Sequence, residues 1–137
     1  MILNCFVEDV DFNDFNKTII KEVAKRIEKY ENRIFGNICV IFCSDEYLRK
    51  INIAHLNRDY YTDIITFNYK HDKIDGDIFI SVQRVRDNAC DYNVNFTNEL
   101  FRVIIHGFLH LCDYMDYSDS EKKIMRKKEE YYLNFLT

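Results

Sequence analysis

The stretch VIIHGFLHLC, residues 103–112, decides the fold of this chain of 137 residues. Apart from His106 and His110 it is apolar nearly all round, and a helix of that kind is usually buried in the middle of a domain. Thr97 precedes it and belongs to the residue types that cap helices. The sequence therefore predicts a central buried helix from Thr97 to about Cys112, with the other elements packed around it.

Strands and helices alternate along the rest of the chain. Stretches rich in β-branched and aromatic residues predict strands, and amphipathic stretches predict helices. The predicted strands are 2–8, 37–43, 63–69 and 76–82, and the other predicted helices are 14–30, a short one after Ser44, 83–91 and 119–135. The order is βαβαββααα. It predicts an α+β fold in which residues 1–137 form one domain, with a mixed sheet of about four strands packed with helices.

Composition restricts the class of protein. Apolar residues make up 47% of the chain, which is enough for a hydrophobic core. No apolar run is long enough for a membrane span and the N-terminus lacks the basic region of a signal peptide, so we expect a cytoplasmic protein without a membrane partner. The net charge of −4 implies that any contact with RNA is local. The five cysteines show no CxxC spacing and are predicted to be small buried hydrophobes, with neither disulfides nor a cysteine zinc site.

His106 and His110 are four residues apart, so they share one face of the predicted helix, and Arg102 continues that polar stripe. Polar groups in a core need partners. In one interpretation each histidine forms a hydrogen bond with a nearby carbonyl or carboxylate. In the other, the pair binds a metal ion, since two imidazoles at this spacing can hold one. The spacing alone leaves both interpretations open.

Gly107 distinguishes this stretch from the zinc peptidases. Their motif is HExxH, in which the glutamate is the general base, and Gly107 occupies the position of that glutamate. A glycine inside a helix costs roughly 1 kcal/mol relative to alanine. We therefore predict that a strand or a substrate packs closely against Gly107, and a peptidase-like hydrolase is disfavoured.

Further motifs accompany the histidines. TDIITF occupies residues 62–67, GDIFIS occupies residues 76–81, and Asn52 stands ten residues before the first of these. Together with HGFLHL at 106–111 and with Tyr114, they resemble the YbeY family of metal-dependent endoribonucleases, whose signatures are TDVLSF, GDIVIS and HGxLHLxGYDH. The order and spacing of the motifs agree over most of the chain, whereas the N-terminal third matches only as a βαβ pattern.

Three positions depart from the last signature. Asp113 replaces its glycine, Met115 its aspartate and Asp116 its third histidine. The family's third metal ligand lies at the position of Asp116, and a carboxylate can bind zinc. Asp113 and Asp119 are alternative ligands, and Asp116 can instead be a solvated turn residue.

The resemblance implies one divalent metal, expected to be zinc, bound by His106, His110 and Asp116. Because the carboxylate adds a negative charge, harder metals such as manganese should compete better than at a site with three histidines. The implied activity is cleavage of single-stranded RNA in ribosomal RNA maturation, with ribosomal particles as possible partners. A ribosome-associated binding factor with a structural metal is the competing hypothesis.

An arginine of the family is missing from its usual place. It stands six residues before the threonine of TDVLSF, a position that Leu56 occupies here. Arg58 is the candidate replacement for contact with RNA phosphate, although it can also be an ordinary surface residue. Arg102 is a second candidate for that contact.

Overall fold

The elements follow the order predicted from the sequence. The computed structural model describes residues 1–70 and 72–136. Its strands are β1 (Ile2–Val7), β2 (Phe35–Cys43), β3 (Ile64–Asn68) and β4 (Ile74–Ser81). Its helices are α1 (Lys17–Glu31), α2 (Asp45–Leu56), α3 (Val82–Tyr92), α4 (Phe96–Leu111) and α5 (Asp119–Leu133), followed by a short 3-10 helix at Asn134–Leu136. The predicted α+β class and the βαβαββααα order are confirmed.

The four strands form one mixed sheet in the order β1-β2-β4-β3. Strands β1, β2 and β4 are parallel, and β3 returns antiparallel to β4. Strand β3 therefore lies at an edge of the sheet, with one side of its backbone free of strand pairing. This edge forms one wall of the candidate site.

Helix α4 is the central buried helix that the sequence predicts. It contacts β3, β4, α1, α3 and α5. Two glycines allow its close approach to the sheet. A Cβ on Gly107 would lie 2.8 Å from side-chain atoms of both Ile64 and Ile78, and a Cβ on Gly76 would lie 2.8 Å from Leu111. The partner predicted to pack against Gly107 is thus the sheet itself.

Helix α2 covers the opposite face of the sheet. Its Leu48 packs with Cys43 of β2 and Ile65 of β3 in a small separate cluster, while the main core lies between the sheet and the other helices. Both faces of the sheet are therefore covered. Among the described residues, no helix is long and apolar enough to cross a bilayer.

Two helix starts differ from the sequence-based prediction. Helix α4 is capped by Asn95 and not by Thr97, because the side chain of Asn95 accepts the N–H of Asn98 at 2.7 Å. Helix α1 begins at Lys17 and not at residue 14, and Asn16 caps it in the same way. Asparagine caps helices at least as well as threonine, and the residue type alone did not decide between neighbouring polar positions.

All five cysteines are free, but only Cys43 and Cys112 are buried, and Cys90 is exposed, so the prediction that the cysteines are buried is wrong for Cys90.

Candidate metal centre

The side chains of His106, His110 and Asp116 meet at the C-terminal end of α4. Oδ2 of Asp116 lies 3.2 Å from Nε2 of His106 and 3.6 Å from Nε2 of His110. One possible ligand atom from each residue lies within 4.8 Å of the other two. The three residues predicted from the sequence are thus brought together in space.

A tight turn after α4 brings Asp116 back towards the histidines. The N–H of Tyr114 donates to the carbonyl of Leu109 at 3.1 Å, and the N–H of Asp113 donates to the carbonyl of His110 at 3.0 Å. This is the pattern of a Schellman motif, which needs a left-handed residue after the helix. Asp113 is that residue, with a φ of 71°. The family signature has a glycine at this position, and here Arg33 forms an ion pair with the aspartate at 3.3 Å.

The imidazole of His110 presents a bare nitrogen to the site. Its Nδ1 lies 2.8 Å from the carbonyl oxygen of Tyr114, which can only accept, so Nδ1 carries the hydrogen. Burial, together with the neighbouring His106, lowers the pKa of His110 below its usual value and keeps the ring neutral at pH 7. Its Nε2 lone pair then lies 3.6 Å from the carboxylate of Asp116. Two electron-rich atoms at this distance repel each other unless a cation lies between them, so the donor set fits a divalent metal.

The imidazole of His106 is held from behind by α5. Its Nδ1 lies 2.7 Å from Oε2 of Glu129, which is a buried carboxylate. The other oxygen of Glu129 accepts a hydrogen bond from Nη1 of Arg102 at 3.2 Å. A carboxylate behind a histidine, with the other ring nitrogen free, is the arrangement that typically orients metal-binding histidines.

Arg102 does not have the phosphate-facing position considered for it. Besides its bond to Glu129, its guanidinium donates to both carboxylate oxygens of Glu99, at 2.6 and 2.7 Å. Glu99 is only 1% exposed and Glu129 is also buried, so the guanidinium of Arg102 faces the interior of the protein. Arg102 does not line the cleft that contains the histidines, and it instead compensates the charge of Glu129.

A cleft of about 520 Å³ opens above the three candidate ligands. One wall is the free edge of β3, and another is the segment between α2 and β3. Its lining includes polar and aromatic side chains from these walls and from the turn after α4, among them Arg58, Tyr60, Thr62, Thr66, Lys70 and Tyr117. The structure therefore brings Arg58 into the same cleft as the histidines, and Leu56 also lines it.

Asn52 holds the segment that carries Arg58. Its buried side chain donates from Nδ2 to the backbone carbonyl of Tyr60 at 3.0 Å. The backbone carbonyl of Asn52 accepts the N–H of Arg58 at 3.1 Å. The sequence marked Asn52 only as part of a motif. Its contacts show that it ties the end of α2 to the cleft wall.

Sequence reasoning missed Glu129 and the tyrosines of the cleft. Glu129 lies on α5 between Met125 and Tyr132, at the spacing of one buried helical face. A carboxylate within an otherwise apolar stripe is a signal that could have found it. Tyr60 and Tyr117 are 50% and 75% exposed, and no sequence pattern distinguishes them from the other tyrosines.

Fold and site together define a class of protein: an α+β domain whose buried central helix carries a candidate metal centre of two histidines and an aspartate. The family model described as Endoribonuclease YbeY matches residues 4–137. The chain belongs to the endoribonuclease YbeY family.

Individual relatives agree with this assignment. An Endoribonuclease YbeY of Flavobacterium johnsoniae is 46% identical over 126 residues, which cover 91% of each chain. One of Christiangramia forsetii is 50% identical over 109 residues, or 79% of this chain and 76% of that one. The solution structure of TM1509 from Thermotoga maritima matches with a TM-score of 0.67 and 28% identity, covering 96% of this chain and 87% of that one.

Proposed function

We propose that residues 1–137 form a metal-dependent endoribonuclease domain that cleaves single-stranded RNA during ribosomal RNA maturation. The observation that carries this proposal is the convergence of three lone-pair donors, His106, His110 and Asp116, at the base of an open cleft. Membership of a family whose relatives are named endoribonucleases supports the same activity.

The proposed cofactor is one divalent metal ion, with zinc as the expected ion. His106 and His110 would bind it through Nε2 and Asp116 through a carboxylate oxygen, a donor set that suits zinc. When bound, such an ion supplies Lewis-acid chemistry, which lowers the pKa of a water and stabilises charge on a phosphoryl oxygen.

The residues of the chain bind and orient the RNA in this proposal. The guanidinium of Arg58, whose backbone N–H is held by the backbone carbonyl of Asn52, contacts a phosphate and stabilises the charge that develops there. Tyr60 and Tyr117 offer exposed rings on which unpaired bases can stack, a mode available to single strands and closed to a duplex. Because these contacts are local, they are compatible with a net charge of −4.

The alternatives have less support. A structural zinc site usually has four protein ligands and is closed, whereas this donor set has three residues and borders a cleft. That arrangement favours an enzyme over a binding factor with a structural metal. Peptidase chemistry would lack its general base here, because Gly107, which packs against Ile64 and Ile78, occupies the position of the glutamate of HExxH.

The proposed setting is the cytosol, with ribosomal particles as partners. Five cysteines that form no disulfide support a reducing compartment. The ribosomal partner follows from the family resemblance.

The proposal is tested by metal analysis together with RNA cleavage. Purified protein is stripped of metal, reloaded with zinc or manganese, and offered a single-stranded RNA, the same RNA as a duplex, and casein. We expect about one metal per chain and cleavage of the single strand alone. His110→Ala should lose both metal and cleavage, while His55→Ala, an exposed histidine outside the cleft lining, should keep both. Digestion of casein with RNA left intact, whatever metal is added, would refute the proposal.

A further inference from the structure

A buried carboxylate at the end of α1 gathers three donors from other parts of the chain. The side chain of Glu31 is only 7% exposed. It accepts the hydroxyl of Tyr114 at 2.5 Å, the hydroxyl of Tyr132, and the ammonium of Lys128 at 3.1 Å. Glu31 therefore joins α1 to α5 and to the turn that follows α4.

Tyr114 connects this carboxylate to a candidate metal ligand. The hydroxyl of Tyr114 binds Glu31, and its backbone carbonyl accepts the hydrogen on Nδ1 of His110 at 2.8 Å. Its N–H is held by Leu109 at 3.1 Å. The carbonyl that fixes the ring of His110 thus belongs to a residue anchored at its backbone nitrogen and at the tip of its side chain.

The segment just after α1 holds the turn at a second place. Arg33 donates from Nη1 to the carbonyl of Cys112 at 3.0 Å and pairs with Asp113 at 3.3 Å. Residues 112–114 are therefore tied to the end of α1 and the segment that follows it before the chain reaches Asp116. The charge of Glu31 is balanced by Lys128, which also lies 4.8 Å from the ring centre of Tyr114. The pair of Glu31 and Lys128 therefore carries no net charge, and what it offers the neighbouring residues is a fixed geometry.

We infer that Glu31 is a positioning residue for the metal centre: through Tyr114 it sets the orientation and the tautomer of His110. The inference rests on the metal site of the proposed function. A hydrogen on Nδ1 leaves Nε2 free to bind the ion, and a fixed ring directs that nitrogen towards Asp116. The competing explanation is that Glu31 only fastens α1 to α5.

Two tyrosines allow these explanations to be separated. Tyr114→Phe and Tyr132→Phe each delete one hydroxyl donated to the same carboxylate, and each keeps the ring that packs in the core. Only Tyr114 carries the carbonyl that holds His110. If Glu31 only holds α1 against α5, the two variants should have the same zinc affinity.

The experiment measures zinc affinity by competition with a chelator for the wild type, Tyr114→Phe, Tyr132→Phe and Glu31→Gln. Unfolding by urea of the metal-free proteins is measured in parallel, and histidine nitrogen NMR of the same proteins reports the tautomer of His110. We expect Tyr114→Phe and Glu31→Gln to weaken zinc binding about tenfold, the lower end for residues behind a metal ligand. We expect the His110 signals of both to shift from the Nδ1–H form towards a mixture. Tyr132→Phe should lose similar stability and keep wild-type zinc affinity.

Several outcomes would overturn the inference. Equal losses of zinc affinity in the two tyrosine variants would mean that Glu31 only holds α1 against α5. Wild-type affinity and an unchanged tautomer in Tyr114→Phe would overturn the inference while leaving the proposed metal site intact. A wild-type protein that binds no zinc would remove the metal site and this inference together.

Discussion

Oε2 of Glu129 lies 2.7 Å from Nδ1 of His106, although the two residues are 23 positions apart in the chain. The other oxygen of Glu129 is occupied by Arg102 at 3.2 Å. Both oxygens of this buried carboxylate are therefore assigned, one to a candidate metal ligand and one to a compensating cation. Helix α5 contributes none of the three residues that converge at the site, and yet it orients one of them.

Glu129→Gln should weaken metal binding. An amide of the same shape accepts a weaker hydrogen bond from His106 and turns a donor towards either the ring or Arg102. We expect a loss of about 10–100-fold in zinc affinity, the usual cost of changing the partner behind a ligating histidine. Glu130→Gln is the matched control, because it removes the same charge from the exposed neighbouring position. A chelator-competition titration in which the two variants bind zinc equally well would contradict the role assigned to Glu129.

The sequence predicted the positions of the histidines better than the groups that hold them. His106 and His110 stand out because they interrupt an apolar helix at a spacing of four, which is a local pattern. Glu129 and Glu31 also interrupt apolar helical stripes, but a stripe does not reveal which residue of another helix the carboxylate meets. Arg102 shows the same limit, since only the packing of α4 against α5 decides that it binds Glu129 rather than a phosphate.

Asp116→Asn should lose metal affinity. It replaces the candidate carboxylate ligand with a neutral amide. Changing a residue that only supports a ligand lowers metal affinity roughly tenfold or more, so changing a ligand itself should lower it at least as much. Asp116→His should retain zinc, because imidazole is also a good zinc ligand. Manganese should compete less well in that variant than in the wild type, since imidazole is the softer donor.

Asp119→Asn is the control for this prediction. Asp119 begins α5 and lies outside the group formed by the two histidines and Asp116. Metal analysis and titration are made on all three variants. Undiminished zinc affinity in Asp116→Asn, or a loss confined to Asp119→Asn, would mean that another group completes the site.

Arg58→Ala should lower RNA turnover while sparing folding and metal content. The side chain lines the cleft and is exposed, so its removal leaves the core and the candidate ligands unchanged. Loss of one charge-assisted contact to phosphate corresponds to a decrease of about 10–100-fold in kcat/KM. Arg86→Ala, at an exposed arginine outside the cleft lining, should cleave at the wild-type rate. Unchanged kinetics in Arg58→Ala would leave the phosphate contact unassigned.

The order of the elements was predictable because each element shows its own periodicity. The departures arose where two neighbouring residues can both cap a helix, as Asn95 and Thr97 can before α4. The strain taken by Asp113, with a φ of 71°, was visible only as a departure from the family's glycine. The ion pair of Asp113 with Arg33 joins residues 80 positions apart, and no local pattern contains such a contact.

Gly107→Ala should destabilise the protein, although alanine favours helices. The new Cβ would lie 2.8 Å from Cγ2 of Ile78, an atom next to the backbone of β4 that cannot move away cheaply. Overpacking costs about 1–3 kcal/mol. Because the Cβ would meet both Ile64 and Ile78 at 2.8 Å, we expect the upper part of that range, above the roughly 1 kcal/mol gained from helix propensity. Ala54→Gly, at an exposed position in α2, measures the propensity contribution alone. If urea unfolding showed Gly107→Ala to be stabilised by as much as Ala54→Gly is destabilised, the packing argument would be wrong.

Acid should remove the stabilisation that Glu31 provides. Burial alone would raise the pKa of Glu31, but the hydrogen bonds from Tyr114 and Tyr132 and the charge of Lys128 outweigh it and hold that pKa below its usual value. A carboxylate with a lowered folded-state pKa contributes its full stabilisation above the unfolded-state value of about 4.3. This contribution is lost as the pH falls through the folded-state pKa.

At neutral pH, Glu31→Gln should cost about 1–3 kcal/mol of unfolding free energy, because Lys128 and the two hydroxyls lose their charged acceptor. The difference from the wild type should shrink as the pH is lowered below about 4.3, since the protonated glutamate then resembles the glutamine. Urea unfolding of the metal-free proteins between pH 7 and pH 3 measures this difference. A difference that stays constant over the whole range would contradict the lowered pKa.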